Sequence, residues 1–574
     1  MNPDAYHSTF FLILRRLRTP LITLILIYAV SVLGMSLMPG VDENGQPVRM
    51  SFFHAFYFIS YTATTIGFGE IPYAFSEAQR LWALVCIYLS VIGWAYTIGS
   101  LFTLLQDQNF LRAIRTQRFA SAVRRLHEPF YVVCGYGETG RLVCQALDRL
   151  GYRAVVIEGD ETRAARLELD HYRTDVLALT ADASQPGVLR LAGLQHGLCR
   201  GVLALTNDDA ANLSIAISVR LLAPHLTALC RAESHETAAN MASFGTRHII
   251  NPFERFSEYL GLALHAPDAY HLLSWLTGLP GATVSHHRDP PRGKWILCGY
   301  GRFGRFMVNA LDREAQTVTV IDKLSSATFN DAHTWVQGDG TGSEALLAAG
   351  IESATGIVAV TSHDVDNLSI AVTARALNPN LFVVLRQNEY ANRVLFDAFD
   401  SDVTVVPSEI VAHECQAILT TPLLEPFLNY VKQADPQWAS QTLQSFIEQF
   451  DWTVPDIWSV KIHPQETPAL CALLAKGHAV VRLRDVFRNP YSREESLEIK
   501  ALYVRHAQGE EHVLPSMDVP LALGDEWLCV ARPGVRSRLA LTLSHEHTLS
   551  YVLTGQDLPG GKLWEWLARW REHG

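Results

Sequence analysis

The chain is short of positive charge. Its 47 lysine and arginine residues are outnumbered by 58 acids, for a formal net charge of −11. A nucleic-acid surface needs a basic face, so no nucleic-acid partner is indicated. Its 22 histidines include no H-x-x-x-H or H-E-x-x-H spacing, so zinc is not supported and no metal-ligand set is assigned. The nine cysteines form no C-x-x-C pair. Two of them, Cys134 and Cys298, fall at the same strand position of an internal repeat, as core residues of a reduced cytosol would. No histidine, lysine or Tyr-x-x-x-Lys constellation presents itself as a proton partner, so an enzyme is not expected. No apolar run is rich in arginine, which argues against a charged voltage-sensing helix.

What the chain does have is uncharged length. Pro20 to about Met38 is apolar and without charge, and Leu81 to about Leu105 is a second such run. Each is near the ~20 residues that cross a bilayer. Between them Ser51 to Thr64 is apolar and aromatic but too short to span, which suits a re-entrant helix. Arg15, Arg16 and Arg18 precede the first run, and Arg112, Arg115, Arg118, Arg124 and Arg125 follow the second. Excess arginine marks the cytoplasmic side. Both termini are therefore expected inside, in a multi-pass protein of the inner (plasma) membrane, with Pro39 to Ser51 outside. A cleaved signal peptide is the alternative for the first run, but no small-x-small site follows it.

Thr62 to Glu70 reads Thr-Ala-Thr-Thr-Ile-Gly-Phe-Gly-Glu. Read alone it could be a surface turn. Placed between a half-span and a span, it is a candidate pore loop, because non-helical backbone at membrane depth must line a cavity or be buried in protein. Gly67 and Gly69 permit positive φ, so successive carbonyls can face one axis. Four copies would form rings of carbonyl oxygens that replace the hydration shell of K⁺. The expected lining is Thr65, Ile66, Gly67, Phe68 and Gly69. In the second run, Gly93 and Gly99 stand out. Gly93 reads equally as a gating hinge or as close helix packing, and Gly99 reads as packing.

The rest of the chain repeats. Tyr131-Val-Val-Cys-Gly-Tyr-Gly-Glu-Thr-Gly-Arg141 matches Trp295-Ile-Leu-Cys-Gly-Tyr-Gly-Arg-Phe-Gly-Arg305. Each holds a G-x-G-x-x-G (Gly135, Gly137, Gly140; Gly299, Gly301, Gly304) after a strand-like run and before a helical pattern. Such glycines allow a tight turn and let a pyrophosphate approach a helix N-terminus. A second strand ends in Glu158 in one copy and Asp322 in the other, where an acid can accept from a ribose hydroxyl. Leu205 to Ala216 matches Val360 to Ala371, a later strand ends in Arg231 or Arg386, and Pro252 and Pro407 fall in register. Two doubly wound domains follow. Arg231 and Arg386 are expected near phosphate. Asp208, Asp209, Asp364 and Asp366 could offer hard oxygen ligands to Ca²⁺, but strand ends facing nucleotide or solvent are the simpler reading.

These motifs resemble two-span potassium channels that carry tandem RCK domains, also called TrkA-N domains. The loop is similar to their Thr-Val-Gly-Tyr-Gly-Asp filter, with Ile66, Phe68 and Glu70 as departures. Relatives often place a Trp pair and a glutamate before the filter, where this chain has Tyr57, Phe58 and Tyr61, so the usual hydrogen-bonded cuff is altered. The resemblance implies a homotetramer in the lipid bilayer, with RCK domains forming a gating ring that pulls on the inner helices.

The expected architecture is an α-helical two-span tetrameric pore plus α/β, with two Rossmann-like RCK domains in tandem and a terminal TrkA-C-like β-rich lobe. The expected parts are a cytoplasmic N-terminus (1–19), the pore (20–105), an Arg-rich linker (106–128), the first RCK domain with its crossover helices (129–293), the second RCK Rossmann lobe (294–423) and the terminal lobe (424–574). Trp452 to Val535 is expected as strand and Lys562 to His573 as an amphipathic helix. The strand-end acids favour NAD(H) over NADP(H), with AMP, ADP and ATP equally able to offer a ribose. The function expected is K⁺ conduction gated by that nucleotide. A weakly selective cation channel, a Rossmann-type membrane oxidoreductase and a non-conducting transporter subunit are the alternatives.

Overall fold

The computed structural model describes residues 4–41, 46–71, 74–167, 169–278, 281, 288–324, 333–477 and 480–556. They divide into two compact units, 1–126 and 127–574. The segment Lys562 to His573 lies outside the described residues.

The first unit is helical. Helices run over Asp4–Leu37, Phe52–Ala63, Glu77–Gln106 and Gln108–Arg124, with a short hairpin of β1 (Pro39–Val41) and β2 (Pro47–Arg49) between the first two. Arg18–Leu37 and Glu77–Gln106 are long and apolar enough to cross a membrane. The short helix starts at Ser51, whose hydroxyl accepts from the His54 N–H at 3.3 Å, and the second long helix starts at a Ser76–Gln79 capping box. Such caps satisfy N–H groups that a helix start otherwise leaves unpaired.

Small residues let the two long helices approach. A Cβ on Gly34 would fall 2.2 Å from the Trp82 ring, and that indole N–H donates to the Ser31 carbonyl at 3.1 Å. A Cβ on Gly93 would fall 2.7 Å from Ile27. Close packing is one reason for Gly93, and the helix runs through it unbroken in this conformation. Nothing lies within 4 Å of a Cβ on Gly99, so packing within the chain does not explain that glycine. The Arg-rich linker is a helix for most of its length, Gln108–Arg124.

The second unit opens with two six-stranded parallel sheets. In the first, β3 (Phe130–Cys134), β4 (Arg153–Glu158), β5 (Leu177–Thr180), β6 (Cys199–Ala204), β7 (Thr227–Arg231) and β8 (His248–Ile250) lie in the order 5-4-3-6-7-8. In the second, β9 (Lys294–Cys298), β10 (Thr317–Asp322), β11 (Thr334–Gln337), β12 (Gly356–Ala359), β13 (Phe382–Arg386) and β14 (Val403–Val405) lie in the order 11-10-9-12-13-14. The order reverses beside β3 and β9, which puts a crevice at their carboxyl ends. The two glycine-rich turns leave the strands there.

The two sheets exchange helices. Pro252–His265 follows β8, yet its Phe253, Phe256, Leu260 and Leu264 pack into the core of the second sheet with Trp295, Phe303 and Phe382. Phe253 stacks on Phe303 with centroids 4.8 Å apart. Pro407–Thr420 follows β14, and its Val411, Ala412 and Cys415 pack into the first core with Val143 and Leu147. Division by chain position (129–293 and 294–423) and division by packing therefore differ, since each crossover helix closes the other repeat.

The terminal lobe completes the unit. Helices Pro267–Thr277, Leu424–Gln433 and Pro436–Phe450 share a core with β-strands through Trp275, Phe427, Phe446 and Leu528. The strands are β15 (Asp456–Lys461), a hairpin of β16 (Arg488–Asn489) and β17 (Ser492–Ser496), then β18 (Ile499–Arg505), β19 (Glu511–Val513) and β20 (Glu526–Ala531). Four of them form an antiparallel sheet in the order 15-20-18-19. The stretch expected as strand is interrupted by helices Pro468–Ala475 and Leu483–Val486. The run Pro-Ala-Leu-Cys-Ala-Leu-Leu-Ala holds strong helix formers and no β-branched residue, so local preference favours a helix.

The exchange gives a directional prediction. Phe253→Ala should cost about 3–5 kcal/mol through lost burial and cavity formation. Hydrogen exchange should show protection falling in β9 and β13 while β3 and β6 keep theirs. Loss in β3 and β6 first would refute the exchanged packing.

Candidate functional site

The loop after the short helix is built on alternating backbone handedness. Thr65, Gly67 and Gly69 have φ of +62°, +66° and +95°, while Ile66 and Phe68 between them do not have positive φ. Alternation of this kind turns successive peptide planes so that carbonyls share one side, as an ion-coordinating filter needs. Thr65 bears the strain, since a β-branched residue rarely adopts φ > 0. Two bonds tie the loop start to its helix, Thr65 N–H to Thr62 at 3.1 Å and Ile66 N–H to Tyr61 at 2.9 Å.

The loop is braced from behind. The Tyr61 hydroxyl donates to the Gly69 carbonyl. Phe68 packs edge-on to Tyr61 at 5.4 Å and parallel to Tyr57 at 6.4 Å. Glu70 takes two bonds from Arg80, from Nε at 2.8 Å and a terminal nitrogen at 3.0 Å, and a third from the Phe75 N–H at 2.8 Å. The tyrosine hydroxyl that Phe68 lacks is thus supplied from Tyr61, and the longer Glu70 reaches an arginine ten residues on.

The two glycine-rich turns are near copies. Gly135 and Gly299 have φ of +98° and +97°. A Cβ on Gly140 or Gly304 would fall 2.0 or 2.1 Å from the carbonyl oxygen of Gly135 or Gly299, so only glycine lets the helix start that close. Beside Gly301 nothing lies within 4 Å, and beside Gly137 only Arg163 at 3.7 Å. The middle glycine of each turn therefore opens room for a bulky group at the helix N-terminus. Glu158 accepts from the Tyr136 N–H and, at 2.9 Å, from the Asp160 N–H. Asp322 accepts from Tyr300 at 2.7 Å and Leu324 at 2.9 Å. Each acid braces the turn and lies beside the crevice.

Arg231 and Arg386, a whole repeat apart in sequence, come together. Arg231 donates to Asn207 at 2.8 Å and pairs with buried Glu233. The other Glu233 oxygen takes Arg302, from the second glycine-rich turn, at 2.8 Å. The Arg386 guanidinium lies over Phe253 at 5.0 Å and Phe303 at 5.8 Å. Burial, and then the neighbouring Arg231 and Arg302 charges, pull its pKa below the usual guanidinium value, against the pull of Glu233. Arg231 and Arg386 each hold a buried Nε without a hydrogen-bond partner. The Glu233 carboxylate thus joins Arg231 of the first repeat to Arg302 of the second, with Arg386 near enough to feel their charges. Arg141 lies over the Tyr390 ring of the other repeat at 5.4 Å, while Arg305 stays by Tyr300 of its own at 5.8 Å.

Three of the four aspartates considered for Ca²⁺, Asp208, Asp209 and Asp364, anchor backbone. Asp209 accepts from Glu233 and Ser234 at 2.9 and 2.8 Å, and Asp364 from Asn388 and Glu389 at 2.6 and 3.0 Å. Asp208 caps its helix through Ala210 at 2.9 Å. Among the described residues no group of three or more His, Cys, Asp or Glu gathers as a metal site.

Comparison with known proteins bears on these features. A TrkA-N domain model matches residues 131–252 and 295–407, and an ion channel model matches 21–107. The chain belongs to the potassium channels that carry RCK domains. Potassium channel protein 1 of Methanocaldococcus jannaschii is 25% identical over 204 residues, 35% of this chain and 59% of that one. Probable potassium channel protein 2 of the same organism is 24% identical over 235 residues, 40% of this chain and 63% of that one. The chain thus spans about three-fifths of the length of these relatives. Among solved structures, the GsuK channel bound to NAD is 16% identical with a TM-score of 0.43, over 93% of this chain and 99% of that one.

Sequence reasoning missed Glu233 and Arg302 in this RCK-channel chain. The signal was a broken repeat: Glu233 stands where the second copy has Asn388, and Arg302 where the first has Glu138. Glu233→Ala should leave buried Arg231 without its acid and cost about 3–5 kcal/mol of stability, and sulfate should restore part of the loss in a denaturation curve. Equal stability in sulfate and chloride would count against a shared cation cluster. At the pore loop, Arg80→Ala frees Glu70, and steady K⁺ current should decay several-fold faster after opening. An unchanged time course would mean that the ion pair does not brace the loop.

Proposed function

We propose that the protein is a homotetrameric, K⁺-selective channel of the plasma membrane, with both termini in the cytoplasm, whose pore is gated by a nucleotide bound in the second unit. The observation that carries the reading is the alternating φ from Thr65 to Gly69, set between two apolar helices. One chain brings one such loop, and rings of carbonyls need four. The Tyr61 and Glu70 braces favour K⁺ selectivity over the weakly selective alternative, because they supply substitutes for the altered cuff.

For the ligand, the site residues are Gly135, Gly137, Gly140, Glu158 and Arg231 in one cradle and Gly299, Gly301, Gly304, Asp322 and Arg386 in the other. An adenine nucleotide with a free ribose, NAD(H) or AMP, ADP and ATP, suits an acid at the strand end and a guanidinium cluster beyond it. Ca²⁺ is the weaker reading, since among the described residues no three His, Cys, Asp or Glu side chains gather as a metal site. Binding gates only if the open and closed states differ in affinity. The crossover helices give such a difference a route: Phe253 lies against Arg386 of the second cradle and belongs to a helix that follows β8 of the first.

The test is a planar-bilayer recording with K⁺ opposing Na⁺ while NAD⁺ is added. The reversal potential should follow K⁺, and open probability should change with NAD⁺ with about tenfold lower apparent affinity in Glu158→Ala or Asp322→Ala. A reversal potential near zero would remove the claim of K⁺ selectivity. Indifference to NAD⁺ and to adenine nucleotides would remove the claim of nucleotide gating and leave conduction standing.

A further inference from the structure

The linker after the second long helix carries charge of one sign only. Gln108 to His127 holds five arginines and no acid, in a chain whose net charge is −11. Arg124 turns back to the Ala120 carbonyl at 3.2 Å. Arg115, Arg118 and Arg125 are exposed, and among the described residues none of the three has an ion pair or a side-chain hydrogen bond. Arginines a little farther along the chain are paired, Arg141 with Glu138 at 3.0 Å and Arg153 with Glu128 at 2.6 Å.

Helical spacing gathers the three. Leu111, Arg115, Arg118, Ala122 and Arg125 follow one another at steps of four, three, four and three residues, which puts them on one face of Gln108–Arg124 and the residue after it. Leu111 is 37% exposed on that face, while Phe119, Val123 and Leu126 are buried on another. The helix thus has an apolar side already covered and a cationic side left open.

Its position sets the depth of the open side. Glu77–Gln106 has 30 residues, about 45 Å of helix, which matches a bilayer with its headgroups. Asp107 then leaves helical geometry, with φ −68° and ψ 111°. Its carboxylate accepts from the Phe110 N–H at 3.2 Å, and its carbonyl from the Leu111 N–H at 3.0 Å. The crossing helix ends there and a second, capped helix begins at the level of the headgroups. Two crossings return the chain to the side it started from, where Arg18 is exposed at the start of the first.

We propose that the arginine face of Gln108–Arg124 docks on anionic phospholipid headgroups of the membrane that the two long helices cross. The crossing itself rests on the pore reading. A guanidinium is always charged and offers a phosphate two parallel N–H donors, so Arg115, Arg118 and Arg125 each take a headgroup phosphate while Leu111 lies toward the acyl boundary. The attraction falls off within a Debye length, and a helix that starts one residue after the crossing helix stays inside it. Because this helix joins the pore to the second unit, lipid charge acts on the same linker through which a bound nucleotide must act.

Native mass spectrometry on the detergent-purified full-length protein tests this with phosphatidylglycerol and phosphatidylcholine of identical acyl chains. The wild type should retain phosphatidylglycerol about tenfold more tightly. Arg115→Gln, Arg118→Gln and Arg125→Gln together should bring it to the level of phosphatidylcholine, and lysine at the same three positions should keep most of the preference. Equal retention of the two lipids by the wild type, or a preference that survives the glutamine variant, would overturn the proposal. So would displacement of phosphatidylglycerol by an equal concentration of inorganic phosphate, which would mark a site for free anions. A lower melting temperature of the lipid-free glutamine variant would show the arginines paired with protein acids instead. Hydrogen exchange over 108–125 in nanodiscs of either lipid needs no variant: exchange should be slower in phosphatidylglycerol, and equal exchange would count against docking. K⁺ flux through vesicles of the same samples reads the pore separately, so loss of that reading and loss of this one are distinguishable.

Discussion

The exchange of crossover helices is the constraint on which the second unit depends. A Rossmann sheet needs helices on both faces, and each sheet here lacks one that only the other repeat can supply. Phe253 and Phe256 leave the first repeat to fill the second core, and Val411 and Cys415 return the exchange. Neither repeat closes its core alone, and the two lie within one compact unit. The same exchange fixes the site. It sets the second glycine-rich turn close enough for Arg302 to reach Glu233 of the first repeat, and it puts Phe253 under the Arg386 guanidinium.

Local pattern made much of this legible. The paired glycine-rich turns and the glycines of the pore loop are statements about backbone conformation, and the φ angles of Gly135, Gly299, Gly67 and Gly69 agree with them. What local pattern cannot carry is partnership across distance. The amphipathic faces of Pro252–His265 and Pro407–Thr420 announce that something covers them, but not which sheet. The helix Pro468–Ala475 was hidden because the stretch around it reads as strand and its own eight residues are short. Gly93 shows the converse: the close approach at it comes from Ile27 and Leu24, residues in another helix.

The pore loop shows how a departure from a family pattern is absorbed. Losing a hydroxyl at Phe68 leaves an aromatic ring that still packs against Tyr61 and Tyr57. The hydrogen bond moves to Tyr61, which reaches the Gly69 carbonyl from the short helix. Lengthening an aspartate to Glu70 carries its carboxylate to Arg80 at the start of the second long helix. The brace then joins loop to long helix through a bidentate pair, whose fixed geometry holds a carboxylate more rigidly than a single bond does. The motif changed in letters while the mechanical requirement, a loop held from behind, was met by other residues.

The two cradles are alike in backbone and unlike in charge. At equivalent places the first repeat carries Glu138 and Glu233, the second Arg302 and Asn388. Glu138 forms a pair with Arg141 of its own helix, whereas Arg302 crosses to Glu233. The cross-repeat ion pair therefore exists once, not twice. Two identical ligands would meet different fields: the first cradle holds an arginine already engaged by a buried acid, and the second holds Arg386, whose cationic form is destabilised by burial and by two neighbouring cations. An anion beside Arg386 would relieve that destabilisation directly, while one beside Arg231 would compete with Glu233. Since Glu233 also holds Arg302, any displacement at the first cradle changes the charge felt at the second. The two cradles, alike in backbone, thus differ in field because one carboxylate, Glu233, holds Arg231 and Arg302 together while Arg386 has no acid of its own within ion-pair distance among the described residues.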